Sequence, residues 1–226
     1  MAMEFHHPTF LQHVFGGKGM TFRLLRSSVA LTLALSGSAA FAFDFSEADQ
    51  LFAQRENNPT AIAAARAKYE EAASTVRDAD LIYAVERLGR LDIYEGDLTA
   101  DNNNAAKKVI YGRCMDQMTL INPATVGENP VYYYYKGSCL ALWAQANGIL
   151  DSLTRSGELF AYLNKGEQVS ATYEGGGFYR VKGAAYAKLP SINPFGPTRD
   201  LQKSKTLLER AIASDAYPGA QNPETE

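Results

Sequence analysis

From Ser46 to Ser214, apolar residues recur at intervals of three and four. They never alternate with polar residues for more than a few positions, so the pattern predicts helices throughout and no sheet. The densest apolar stretch is Asn129–Leu153. Pro130 suits a first helical position, where its missing N–H costs nothing. At helical spacing Tyr132, Tyr135, Cys139, Leu142, Trp143, Ala146 and Leu150 share one broad face. Tyr133, Tyr134, Gly137, Ala141, Ala144 and Gly148 cover much of the other. A helix apolar nearly all round is buried between neighbours, and this one is expected to be the centre of the fold.

Punctuation divides the rest into pairs. Ser46-Glu-Ala-Asp49 reads as a capping box with Asp in place of Glu, starting a short helix to about Arg55. Asn58 and Pro59 start its partner, which runs to about Ser74. Asp78 or Asp80 caps a helix to about Tyr94, and the polar loop Gly96–Asn104 leads to a partner over Ala105–Ile121. The central helix pairs with Gly157–Thr172. The last pair opens at Gly175-Gly-Gly177, stops at Leu189-Pro190, and resumes over Asp200–Ser214 after a Pro/Gly loop. Ala65-x3-Tyr69-x2-Ala72 matches the second-helix signature of a tetratricopeptide repeat, with Phe52 and Ala53 as the large and small residues of the first helix. Leu88-Gly89, Tyr179-x3-Gly183-x2-Tyr186 and Leu208-x2-Ala211 hold related spacings. The expected fold is all-α: a tetratricopeptide-like right-handed solenoid of about four antiparallel helix pairs over residues 43–218, followed by a polar tail, 219–226.

Composition changes this picture at the N-terminus. Met20 opens a segment with basic Arg23 and Arg26, a short apolar core Val29–Leu35 and an Ala40-Phe41-Ala42 cleavage site. This is the pattern of a secretory signal peptide over residues 20–42, cut between Ala42 and Phe43, with 1–19 as an upstream extension. The expected location is the periplasm, with no membrane span after cleavage. All three histidines, His6, His7 and His13, lie upstream of the cut. The exported chain then has no imidazole, which removes Ser-His-Asp and Cys-His catalysis and His-ligated metals. We expect a protein that is not an enzyme and needs no cofactor; an enzyme here would rest on carboxylate, Lys or Tyr chemistry. Residues 1–42 carry Lys18, Arg23, Arg26 and Glu4, so cleavage makes the net charge of −3 more negative. That balance argues against nucleic acid as a partner.

Four features carry candidate chemistry. Cys114 and Cys139, the only two cysteines, are expected to pair in an oxidising compartment, the alternative being two buried thiols. Tyr132–Tyr135, Trp143, Tyr173, Phe178 and Tyr179 form an aromatic set that either packs the core or, through Tyr133, Tyr134 or Trp143, lines a groove for an apolar or amphipathic ligand; Tyr173, Phe178 and Arg180 complete the six candidate groove residues. Gly175-Gly-Gly177 followed by Arg180 reads as a tight turn, with Arg180 on a carboxylate or on carbonyls of the next repeat. The alternative is an anion held at a helix start. Charged pairs such as Glu70-Glu71 and Lys107-Lys108 read as solvated helix faces.

The run Leu140-Ala-Leu-Trp-Ala-Gln-Ala-Asn-Gly148, then Gly175-Gly-Gly-Phe-Tyr-Arg180 with Gly183, Tyr186 and Leu189-Pro190, then a Leu-Leu-Glu-Arg-Ala-Ile helix, resembles bacterial periplasmic tetratricopeptide proteins. It is most similar to the T component of tripartite ATP-independent periplasmic (TRAP) transporters. The resemblance implies a ligand-sized pore or groove and a substrate-binding protein as companion. T components are typically lipoproteins, whereas no cysteine follows the apolar core here. Two functions are expected: a periplasmic scaffold that holds a partner protein, or a ligand-binding accessory subunit of a TRAP-like uptake system taking a small apolar or carboxylate ligand.

Overall fold

The structure, a computed structural model, describes residues 43–148 and 153–215. The extension 1–19, the segment 20–42 with Ala42, and the tail 219–226 lie outside the described residues. The described residues are all-α, with no strand. The helices are α1 (Ser46–Ala53), α2 (Pro59–Thr75), α3 (Asp78–Leu98), α4 (Asn104–Gln117), the single turn α5 (Pro123–Val126), α6 (Pro130–Asn147), α7 (Ser156–Val169), α8 (Tyr173–Lys188) and α9 (Leu201–Asp215). A 3-10 turn, Met118–Ile121, extends α4.

Asparagine sets four of the helix starts. The side chains of Asn58, Asn103, Asn122 and Asn129 each accept a hydrogen bond from a backbone N–H of the first turn, and three of them precede a proline that begins the helix. The capping box at Ser46 does not form. Ser46 lies inside α1, its N–H donates to Asp44 Oδ1 at 2.9 Å, and the N-cap position is Phe45. Asp49 is used elsewhere: it accepts from Tyr69 Oη at 2.5 Å and Tyr83 Oη at 2.8 Å, tying α1 to α2 and α3. Asp78 and Asp80 likewise cap nothing, because α3 starts at Asp78 itself. The helix also runs past the expected stop at Tyr94, since Gly96 packs directly under the Tyr111 ring of α4.

Each long helix packs on the next along the chain, and α6 also reaches α3 and α8. Ala65, Tyr69 and Ala72 of α2 are buried, as their spacing required. Ala53 is exposed, and the small buried residue of α1 is Ala48, one turn before Phe52 on the same side. Three clusters make up the core: one around Phe52, Tyr69, Leu88 and Leu91, a central one around Tyr135, Cys139, Leu140 and Leu163, and one around Phe160, Tyr186 and Ala211. Helix α6 is buried on most of its circumference, including Tyr133, Tyr135, Cys139, Leu140 and Ala144. Gly89 of α3 lets it approach closely: a Cβ there would stand 2.7 Å from the Tyr135 ring.

A disulfide and a buried ionic group are among the ties that cross the helices. Cys114 of α4 and Cys139 of α6 form a disulfide, both fully buried. Asp92 of α3, also fully buried, accepts from Arg66 of α2 at 2.8 Å and from Arg113 of α4 at 2.6 Å. Both guanidiniums also reach Glu95, at 2.9 and 2.6 Å.

Candidate ligand cavity

Helices α6, α7 and α8 line an open-sided cavity of about 860 Å³, bordered also by Ile93 of α3 and by the loop after α8. One stripe of α6 supplies its floor: Tyr134, Ser138, Ala141 and Gln145 recur at helical spacing. Val181, Ala184, Ala185 and Lys188 of α8 face it, with Leu159 and Ser156 of α7 at the side. Alanines on the facing helices carry too little side chain to fill the space between them. Most of the wall is therefore apolar.

The polar groups are few, and most have protein partners. Ser156 Oγ donates to the Leu153 carbonyl at 2.8 Å and lies 3.0 Å from Asn193 Nδ2, which donates to it. Asn193 is the buried organiser of the loop after α8: its amide also donates to the Pro197 carbonyl at 2.8 Å, and its Oδ1 accepts from the Phe195 N–H at 3.0 Å. The Arg199 N–H closes that loop onto the Pro190 carbonyl at 2.9 Å, which sets Arg199 beside the end of α8. Lys188 Nζ donates to Gln145 Oε1 at 2.7 Å. Ser138 differs from these: it is 6 % exposed, and its Oγ is buried beside the Tyr134 phenol instead of facing the open space.

The aromatic set expected from the sequence separates. Tyr134 alone of the six candidate groove residues lines the cavity. Its ring makes edge-to-face contacts with Tyr173 at 5.4 Å and Phe178 at 5.6 Å between centroids. Phe178 is fully buried in the core. Tyr133 points away, donating its hydroxyl to Glu128 at 2.7 Å, because successive helical residues diverge by about 100°. Trp143 is half-buried outside the cavity, with the Arg155 guanidinium over its ring at 5.3 Å. Burial raises the Tyr134 and Tyr173 phenols above their usual range, with Glu174 and Tyr135 respectively adding to it, so both stay neutral at neutral pH.

The glycine run is a turn. Glu174, Gly175 and Gly176 take left-handed conformations with φ of 52°, 54° and 77°, and only beyond them does α8 proceed regularly. Glycine is needed at position 176, where a Cβ would stand 2.8 Å from Ser214 Cβ and 3.1 Å from Ala211 Cα on α9. Glu174, a non-glycine in this region, costs on the order of 1 kcal/mol. Its carboxylate is paired with Arg90 of α3. Arg180 donates to the carbonyls of Glu174 and Gly175, the latter at 2.8 Å. These carbonyls belong to its own turn, not to the next helix pair. Arg180→Ala should therefore lower stability by on the order of 2 kcal/mol, the scale of charge-assisted bonds to a partly buried turn. Thermal melting checks this; an unchanged melting temperature would remove Arg180 from the support of the turn.

Among the described residues, no group of three or more His, Cys, Asp or Glu is placed to hold a metal, and no helix is long and apolar enough to cross a membrane. No family model, no curated protein and no solved structure matches the chain.

Proposed function

We propose that the chain is an exported, non-enzymatic helical-repeat protein that binds a small amphipathic molecule between α6, α7 and α8. The observation that carries this reading is the cavity of about 860 Å³, apolar over most of its wall with a few polar groups at defined places. Ligand sites have this size and character. The tetratricopeptide-like solenoid is supported by the buried Ala65, Tyr69 and Ala72 and by the packing of each helix on its successor. Export to the periplasm is supported by the Ala40-Phe41-Ala42 pattern and by a disulfide, which oxidising compartments favour. Among known systems, an accessory subunit of a TRAP-like uptake system fits this reading, working beside a substrate-binding protein.

A second reading, a scaffold for a partner protein, is favoured by a different observation. Ile192, Phe195, Leu201 and Ile212 are exposed toward the C-terminal end, at 56 % or more. The two readings differ in where binding takes place. Nile red, a neutral apolar dye, should bind the protein saturably, and Ala141→Trp, which fills the cavity from α6, should abolish that binding while the fold persists by circular dichroism. Saturable binding that survives Ala141→Trp, or no saturable binding at all, overturns the cavity reading and leaves the scaffold.

A further inference from the structure

The loop between α8 and α9 is pinned in a shape that turns apolar side chains to solvent. Asn193, 8 % exposed, ties it to Ser156 at the start of α7 and accepts the Phe195 N–H. The Arg199 N–H reaches the Pro190 carbonyl, and the Asp200 N–H reaches the Tyr186 carbonyl of α8 at 3.2 Å. Gly196 packs so closely on α7 that a Cβ there would stand 2.7 Å from Ser156 Oγ. Pro194 and Pro197 fix two further φ angles. The loop therefore lies across the start of α7, the end of α8 and the start of α9. Held there, Ile192 is 83 % exposed and Phe195 58 %, and Leu201, the first residue of α9, is 56 % exposed. The bonds on both sides of Phe195 keep it outside the core.

The charge around these side chains has one sign in excess. Lys188 in the last turn of α8, Arg199 in the loop and Lys203 in the first turn of α9 are all exposed. Lys188 is bonded to a neutral group, the Gln145 amide. Among the described residues, the carboxylates at this end are Glu158 and Asp200. Glu158 pairs with Arg155 at 2.8 Å, and Asp200 accepts the Lys203 N–H at 2.8 Å in front of α9. This end is thus positive, on a chain whose formal charge is −3. Apolar side chains projecting from a loop among Lys and Arg match the two layers of an anionic lipid surface. Acyl chains suit the Ile and Phe, and phosphate headgroups suit the cations. A protein partner asks for a continuous apolar centre. Here the buried Asn193 follows Ile192, and Thr198, Arg199 and Asp200 stand between Phe195 and Leu201. A bilayer takes up such separate side chains one by one.

We propose that this end of the molecule docks on an anionic lipid surface, with Ile192 and Phe195 entering the acyl boundary and Lys188, Arg199 and Lys203 lying among the headgroup phosphates. Docking does not depend on an occupied cavity, so Ala141→Trp should bind vesicles as the wild-type chain does. Cosedimentation of the full chain with phosphatidylcholine vesicles, with and without phosphatidylglycerol, should show binding to the anionic vesicles that weakens at high salt. Ile192→Ser combined with Phe195→Ser should weaken that binding by about tenfold or more, as should Arg199→Gln combined with Lys203→Gln. These side chains are exposed, so circular dichroism should show the fold unchanged. Trp143 is the only tryptophan, so Phe195→Trp in a Trp143→Phe chain places the single indole in the loop. Brominated phosphatidylcholine in the anionic vesicles should quench it. Binding carried by another segment, such as residues 20–42, would leave that indole unquenched and would survive the Ile192→Ser, Phe195→Ser pair. Either result overturns the docking end. Equal binding to vesicles without phosphatidylglycerol, or no binding at all, overturns it too. So does self-association of the chain that the same loop pair abolishes while vesicles leave the wild type unbound, because the surface then belongs to a protein contact.

Discussion

Asp92→Ala should cost the protein about 3 kcal/mol and be the most damaging single truncation of a polar residue. The carboxylate is wholly inaccessible, and Arg66, at 12 % side-chain exposure, shares it with Arg113 at 33 %. Removing the anion leaves two like charges facing one another across α2, α3 and α4. Breaking a buried pair in this way costs about 3–5 kcal/mol. The lower end applies here, because Arg113 is partly solvated and both arginines retain Glu95. Urea denaturation of the wild type and variant measures the loss. Arg66→Met on the Asp92→Ala background should restore part of it by removing one uncompensated charge. A loss below about 1 kcal/mol, the scale of surface pairs, would show that the triad is not what holds these three helices together.

Opening the disulfide ranks with it. Cys114 and Cys139 are 25 residues apart in sequence and close a loop that spans the 3-10 turn, α5 and the start of α6. In the chain-entropy account, a loop of this length restrains the unfolded state by about 3 kcal/mol. Because both sulfurs are buried in the central cluster, the reduced thiols would still fill the same space. The folded state then changes little, and the effect lies mostly in the unfolded chain. Cys114→Ala with Cys139→Ala should therefore lower the unfolding free energy measured in urea by a similar amount, plus the cost of the vacated volume. The oxidised protein, denatured without reductant, should show no reactive thiol; two labelled thiols would contradict the bond.

The helical architecture was legible because its signals are local. Asn58-Pro59, Asn122-Pro123 and Asn129-Pro130 announce helix starts in the chain itself, and the nearly unbroken apolar surface of α6 announces its burial. The disulfide was legible because only two cysteines exist to pair. What escaped depends on direction in space. Tyr133 and Tyr134 are equivalent as letters, yet one points to Glu128 and the other into the cavity. The cavity walls are mainly alanine, which reads as helix propensity and not as a binding surface. Ser138 reads as an ordinary polar residue in a helix until its neighbours are placed. Asp49 and Asp92 were open to misreading for the same reason: their partners are 20 or more residues away along the chain. A Ser-x-x-Asp pattern close at hand offered a local explanation for Asp49 that the tyrosines of α2 and α3 override.

Because the helices find their main partners one or two elements along, the chain brings few distant segments together when it folds. Loop-closure cost is low at every step, which is the condition for rapid folding. The same connectivity makes opening directional. Helices α1 and α9 each have packed neighbours on one side, whereas α4 and α6 are cross-linked in the middle. The molecule is thus expected to peel from its ends inward, with the cavity, between the cross-linked centre and the α9 end, exposed before the centre gives way.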